Sequence, residues 1–161
     1  MKEIKNMLND RFEVIERRIV LVLEQLNDEQ VNWRPNESSN SISNLIVHIS
    51  GNINDRIGKG MNKIPFTRDR DGEFEVHFIS KNDLIENIKT SFHEVKETLM
   101  AMDNEGLLQT QKTGNREQTN LEIFIQSATH FSEHMGQILY IAKILKDEDY
   151  LTTTVPKKKR I

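Results

Sequence analysis

The stretch SKNDLIENIKTSFHEVKETLMAM, residues 80–102, decides the fold because it predicts a long helix with one buried face. Ser80 and Asp83 are spaced as in a capping box at a helix start, and the apolar pair at 79 and 84 fits a hydrophobic staple. Apolar residues then recur at steps of three and four, the spacing of one helix side. They are Ile85, Ile88, Phe92, Val95, Leu99 and Met102. A single apolar stripe over about five turns is typical of a bundle helix.

Three further stretches carry the same pattern. Apolar residues at 4, 8, 12, 15, 19, 22 and 26 predict a first helix over roughly residues 2–26. A second helix is predicted from residue 42 to about 59, after a polar run at 38–41 that can cap it. Another starts at Thr119, which is spaced to form a capping box with Glu122, and ends near Lys146. Because four amphipathic helices can bury their stripes only against one another, we predict an all-α four-helix bundle.

The connection between the second and third helices, about residues 60–79, is long for a bundle, where roughly two to eight residues are usual. About twenty extended residues reach up to about 66 Å, whereas the second helix is roughly 30 Å long. A crossover that makes these two helices parallel is therefore permitted. No alternating pattern predicts a strand; the nearest, at 74–79, lies within this charged connector.

The composition limits the classes of function. We expect one domain over residues 1–161, with a solvated basic tail at about 152–161. The 22 basic and 25 acidic residues are mixed along the chain, so no basic face indicates nucleic acid. The first ten residues lack an apolar core and no apolar run could cross a bilayer, so we expect a cytoplasmic protein without a membrane partner. Because cysteine is absent, nitrogen and oxygen must hold any metal.

Three of the five histidines are expected to border a bundle groove. His130 and His134, in the stretch HFSEH, are about 40° apart around the last helix and share a face beside its apolar arc. His48 borders the arc of the second helix, and Asn52 and Arg56 follow it at four-residue steps. Burying such groups costs roughly 1–3 kcal/mol each unless they are paired. Two interpretations stay open: histidines bonded to neighbouring side chains, or ligands of a metal ion.

Three neutral imidazoles around a divalent ion leave a coordination position open, as in a reactive site. Nickel, zinc, cobalt, iron and manganese all accept imidazole, and we expect zinc or nickel. Such an ion can lower the pKa of bound water to about 7 or activate a substrate thiolate or carbonyl. HFSEH also fits the H-x-x-E-H signature of zinc peptidases, in which Glu133 would be the general base. Nothing else in the sequence resembles a peptidase scaffold with a substrate-aligning strand.

For Trp33 and Arg56, the sequence allows either a structural or a functional role. Trp33, the only tryptophan, is expected either to wall the site or to plug the end of the bundle. Arg56 can bind a substrate carboxylate or form a surface ion pair with Asp55 or Asp69. The two remaining histidines, His77 in the connector and His93 on the polar side of the third helix, are expected on the surface.

Two runs resemble the DinB superfamily: LNDEQVNWRPNESSNSISNLIVHISGNINDR, residues 26–56, and HFSEHMGQILYIAKIL, residues 130–145. The resemblance covers nearly the whole chain. The connector TRDRDGEFE, residues 67–75, is similar to a bacterial branch that carries only a domain-of-unknown-function label.

The resemblance implies four helices in up-down-down-up order and a divalent metal held by His48, His130 and His134. Characterised relatives include thiol S-transferases, which join a low-molecular-weight thiol such as bacillithiol to a small electrophile, and some members are dimers. The expected function is therefore a metal-dependent enzyme, a homodimer acting on a small-molecule substrate. The alternatives are metal-assisted hydrolysis and a non-catalytic dimeric bundle with structural histidines.

Overall fold

The computed structural model describes residues 1–155, so the basic end of the predicted tail, 156–161, lies outside the described residues. Six α-helices are present between residues 1 and 155: α1 (Lys2–Leu23), α2 (Asp28–Asn32), α3 (Ile42–Ile53), α4 (Lys81–Ala101), α5 (Asn104–Leu108) and α6 (Asn120–Lys146). A π-helical turn (Asn54–Lys59) extends α3, and short 3-10 turns lie at Gly72–Phe74 and Asp147–Asp149. The predicted all-α class is confirmed.

The helix starts follow the predicted local chemistry. The side chain of Ser80 accepts the backbone N–H of Asp83, and Thr119 and Glu122 form a reciprocal capping box. The first helix, predicted to reach residue 26, ends at Leu23 instead. The short helix α2, which was not predicted, follows because Asn27 forms its own capping box with Gln30.

A small hairpin precedes α6 and was also not predicted. Strands β1 (Thr110–Thr113) and β2 (Arg116–Thr119) pair antiparallel, with Thr110 opposite Thr119. Gly114 turns the chain at φ 63°, in the left-handed region that glycine enters without steric cost. Because both strands are polar, their sequences lack the alternation that indicates a half-buried strand.

Helices α1 and α4 pack antiparallel. The ammonium of Lys5, near the start of α1, donates hydrogen bonds to the carbonyls of Met100 (2.8 Å) and Met102 (2.7 Å) at the end of α4. Deeper in the bundle, the rings of Phe12 and Phe92 meet edge to face with centroids 6.3 Å apart. The two helices therefore run in opposite directions along this seam.

Helix α3 instead runs parallel to α4. Ser91 donates to Ser50 (3.1 Å), and farther along both segments Asn62 donates to Thr98 (2.9 Å). Helix α6 runs antiparallel to α3, because His48 meets His130 while Gln111 joins Arg56, beyond the end of α3, to Asn120 at the start of α6. It runs parallel to α1, because Phe12 meets Phe131 and, beyond the ends of both helices, Gln25 meets Leu151. The order is up-down-down-up, with the predicted crossover joining the parallel pair.

The core lies where the apolar stripes of the four long helices meet. Phe12, Phe92 and Phe131 form a fully buried aromatic cluster, with Phe131 centred 5.7 Å from Phe92. Phe131 directly follows His130 on α6, so the candidate site rests on this packed layer. None of the helices in residues 1–155 combines the length and apolarity that crossing a bilayer requires.

Candidate metal centre

The three candidate histidines converge between α3 and α6. The Nε2 atom of His130 lies 3.2 Å from Nε2 of His48 and 2.8 Å from Nε2 of His134. Potential ligand atoms of all three lie within 4.8 Å of one another. His48 is 5% exposed, and the other two are partly buried. Residues 82 positions apart in sequence thus present the same ring nitrogen to one point.

These separations fit a shared cation. Imidazole nitrogens bound at 2.0–2.1 Å to one ion lie about 2.8–3.4 Å apart in octahedral or tetrahedral geometry. The separations of His130 Nε2 from the other two Nε2 atoms lie within this interval. Nitrogen lone pairs that face each other at such distances repel unless a proton or a cation lies between them. The donor set, three imidazoles without a thiolate, suits zinc, nickel and other first-row divalent ions.

The outer nitrogens of two rings are held by other side chains. Nδ1 of His48 lies 2.8 Å from Oε2 of Glu73, and Nδ1 of His134 lies 2.7 Å from Oε1 of Gln137. Each oxygen is an acceptor, so either contact is a hydrogen bond when Nδ1 carries the proton and the lone pair is on Nε2. Hydrogen bonds of this kind fix the orientation and tautomer of metal-ligating histidines in proteins.

The surroundings favour neutral imidazoles. Burial, followed by the neighbouring His134 and His48, lowers the pKa of His130 from 6.5 to about 4. Burial also lowers the pKa of His48, although the hydrogen bond to Glu73 partly offsets it. Because metal binding requires the unprotonated ring, these two ligand candidates are ready to bind at neutral pH.

A pocket of about 630 Å³ opens beside His48 and His130. Most of its lining is polar or charged: Asn52, Asp55, Arg56, Arg68, Arg70, Gln126, Ser127, Thr129 and Glu133. The predicted candidates Asn52, Arg56 and Glu133 are therefore beside the histidines, whereas Trp33 is not among the lining residues. The π-helical turn carries Arg56, and such turns in α-helices often occur at functional sites.

The remaining sequence candidates lie elsewhere. Trp33 directly follows α2 and is 37% exposed, and both His77 and His93 are exposed. Nε of Arg56 is 3.9 Å from a carboxylate oxygen of Asp55, at the outer limit of an ion pair. Among the described residues no ion pair joins Arg56 to Asp69.

Sequence reasoning missed the residues that surround His48. Glu73, Arg68 and Phe74 all come from the crossover, where Phe74 packs against the His48 ring with centroids 4.9 Å apart. The signals in the sequence were the length and charge of the connector and the resemblance of residues 67–75 to a bacterial family branch. None of these signals indicates which of its carboxylates turns inward.

The helix order and the three converging imidazoles define a DinB-like bundle with a candidate metal centre. Several solved structures are similar in fold, among them two bacterial proteins. The conserved protein of locus from Enterococcus faecalis is 15% identical, with a TM-score of 0.73 over 86% of this chain and 95% of that chain. A DinB-like protein from Bacillus cereus is 14% identical, with a TM-score of 0.68 over 86% and 90%.

The family model described as "Protein of unknown function (DUF1572)" matches residues 2–159, and the chain belongs to that family. No curated protein matches the sequence. The predicted resemblance to the DinB superfamily is confirmed by the family match and the fold together.

Proposed function

We propose that the protein is a divalent-metal-dependent enzyme whose ion is held by His48, His130 and His134. The observation that carries the proposal is the convergence of the three Nε2 atoms. In two of the three rings, those of His48 and His134, the opposite nitrogen Nδ1 lies beside a hydrogen-bond acceptor. When bound, the ion supplies Lewis acidity that stabilises an anion such as thiolate or hydroxide at neutral pH. We favour zinc or nickel because imidazole suits both.

The pocket residues would bind and orient a small charged substrate. The guanidinium of Arg68 is bound to Glu73, whereas within residues 1–155 that of Arg56 has only the long contact with Asp55. Arg56 is therefore free to bind a carboxylate or phosphate group through its fork of donors. Asn52 lines the same pocket and offers both a donor and an acceptor.

Thiol S-transfer is the reaction we favour. The thiol gives its proton to solvent, its sulfur bonds to an electrophilic carbon, and the leaving group departs with the electron pair of the bond that breaks. The proposal draws on the resemblance to thiol S-transferases and on an open pocket that has room for a low-molecular-weight thiol of the bacillithiol type beside the histidines.

Metal-assisted hydrolysis is the second candidate, and Glu133 favours it. This carboxylate lines the pocket one turn from His130, where it could accept a proton from an attacking water. Exchange of Glu133 for Gln separates the two reactions, since hydrolysis should fall at least about 100-fold whereas thiol transfer should not.

Metal binding is tested first, on protein purified without a histidine tag or chelator. Zinc or nickel at 100 times its Kd should stabilise the fold by about 2.7 kcal/mol, which raises Tm by roughly 5–10 °C at this chain length. His130→Ala should abolish the rise, and the surface variant His93→Ala should retain it. Wild-type protein without stoichiometric metal and without a Tm response would refute the proposal.

Chemistry is tested with metal-loaded protein, a panel of bacillithiol, glutathione and cysteine, and a chromogenic electrophile. We expect turnover that His48→Ala abolishes. Equal turnover in that variant contradicts the mechanism, and metal binding without turnover of thiols or ester substrates favours the non-catalytic bundle. The homodimer and the cytoplasmic location stay predictions; light scattering after size exclusion tests the first.

A further inference from the structure

We propose that Glu73, supplied by the crossover, is a positioning residue that fixes the tautomer and orientation of His48. The effect of Glu73 on metal affinity rests on the proposed function. Glu73 is 6% exposed, although the connector around it is charged and mostly exposed. A buried carboxylate is costly unless its oxygens are satisfied, so its placement calls for a physical reason.

Both oxygens of Glu73 are satisfied by groups at the site. Arg68 forms a fork, with Nε 2.6 Å from Oε1 and Nη2 2.8 Å from Oε2. Nδ1 of His48 lies 2.8 Å from the same Oε2. The bidentate guanidinium stabilises the ionised carboxylate, which can then only accept hydrogen bonds.

The distances around Nδ1 of His48 select one tautomer. If Nδ1 carried the lone pair, it could accept from Nη2 of Arg68, but that nitrogen is 3.4 Å away. The same lone pair would then face the carboxylate of Glu73 at 2.8 Å and be repelled by it. A protonated Nδ1 instead makes a charge-assisted hydrogen bond at that distance. The lone pair is therefore on Nε2, which faces His130.

The position of Glu73 is set by the fold and not only by its own contacts. Nδ2 of Asn44, buried in the first turn of α3, donates to the carbonyls of Glu73 (3.0 Å) and Glu75 (2.7 Å). Gly51, two turns farther along α3, leaves the space that the Glu73 carboxylate and Arg68 occupy. These contacts place the carboxylate without help from a cation.

The other anchored ring provides an internal comparison. His134 donates to the amide oxygen of Gln137, a neutral and exposed partner on the same helix. A buried, ionised acceptor forms the stronger hydrogen bond and excludes competing water. Loss of Glu73 should therefore weaken metal binding more than loss of the Gln137 side chain.

The test compares Glu73→Met, which removes the acceptor at similar size, with Glu73→Gln, which keeps an oxygen but not the charge. Glu75→Gln is the matched control, because Glu75 lies in the same connector and is exposed. The tautomer of His48 is read in metal-free protein from long-range proton–nitrogen spectra of ¹⁵N-labelled histidine. Zinc affinity is measured by competition with a chromophoric chelator.

We expect wild type and Glu75→Gln to carry the His48 proton on Nδ1 and to bind zinc equally. Glu73→Met should lose the fixed tautomer and bind zinc roughly 10–100-fold more weakly, with Glu73→Gln between them. Gln137→Ala should cost less than Glu73→Met.

Two results would overturn the proposal. One is a wild-type His48 protonated on Nε2, a result that needs no variant to fold. The other is a folded Glu73→Met protein with an unchanged tautomer and a zinc affinity within twofold of the control. If no protein binds zinc yet the tautomer depends on Glu73, the positioning role stands and the metal proposal fails.

Discussion

Replacement of Gly51 by Ala tests the packing of the site through a single methyl group. A Cβ at this position would overlap Oε1 of Glu73 and lie 2.9 Å from its Cδ and 3.4 Å from Nε of Arg68. The carboxylate would have to move away from α3. Gly136 on α6 is the matched control, because it is exposed and a Cβ there meets nothing within 4 Å.

The two exchanges should change stability in opposite directions. Gly to Ala inside a helix gains about 0.8–1 kcal/mol from backbone propensity. At Gly51 that gain is opposed by loss of the hydrogen bond between His48 and Glu73, worth about 1.5–3 kcal/mol for a charged partner. Gly51→Ala should therefore lose roughly 0.5–2 kcal/mol, whereas Gly136→Ala should gain about 1 kcal/mol.

Thermal and urea unfolding of metal-free protein measure the difference. At about 2–4 °C per kcal/mol, Tm should fall by about 1–8 °C for Gly51→Ala and rise by about 2–4 °C for Gly136→Ala. Zinc affinity should fall in the first variant alone. If Gly51→Ala is stabilised as much as Gly136→Ala, the carboxylate is not packed against α3 and the reasoning is wrong.

Three further outcomes follow from described contacts. His130 has a pKa of about 4 in the fold against an ordinary value of 6.5. The unfolded chain therefore takes up the proton first, and metal-free stability should be full above pH 6.5 and decline towards pH 4. His130→Gln should flatten this decline in Tm, and an equally steep decline contradicts the assignment. Asn44→Ala should cost about 2–4 kcal/mol in urea unfolding, because it leaves the carbonyls of Glu73 and Glu75 and the backbone N–H of Ser41 unpaired; a loss below about 1 kcal/mol would show that these hydrogen bonds do not hold the connector. Phe131→Ala should cost about 3–5 kcal/mol through the cavity left between two aromatic rings, whereas Tyr140→Ala, at an exposed position, should stay within about 0.5 kcal/mol; similar losses would argue against the core assignment.

The four long helices could be predicted because their signals are local. The apolar stripe of α4 and the capping residues Ser80 and Thr119 each act within one or two turns of the chain. The elements that were missed are short. The hairpin depends on its packing beside α6, and its strands carry no apolar face that a pattern search could detect.

The candidate site divides in the same way. His48, His130 and His134 were found because helical periodicity fixes which face each residue occupies. Glu73 was not found, since a connector has no periodicity and its path depends on long-range contacts such as the one from Asn44. Candidate ligands on helices can therefore be predicted from the sequence, whereas the loop residues that support them are identified only once the fold is known.

The crossover has two parts that should differ in their tolerance to inserted residues. Ile64 and Pro65 are exposed and follow Asn62, whose side chain donates to Thr98, so a short glycine-serine insertion between Ile64 and Pro65 should leave the unfolding midpoint unchanged. From Arg68 to Glu75 the same insertion would shift the carboxylate along α3 and away from its histidine. We therefore expect natural length variation in this loop to be confined to its first few positions. A reporter peptide could be inserted there without loss of stability, but not between Arg68 and Glu75.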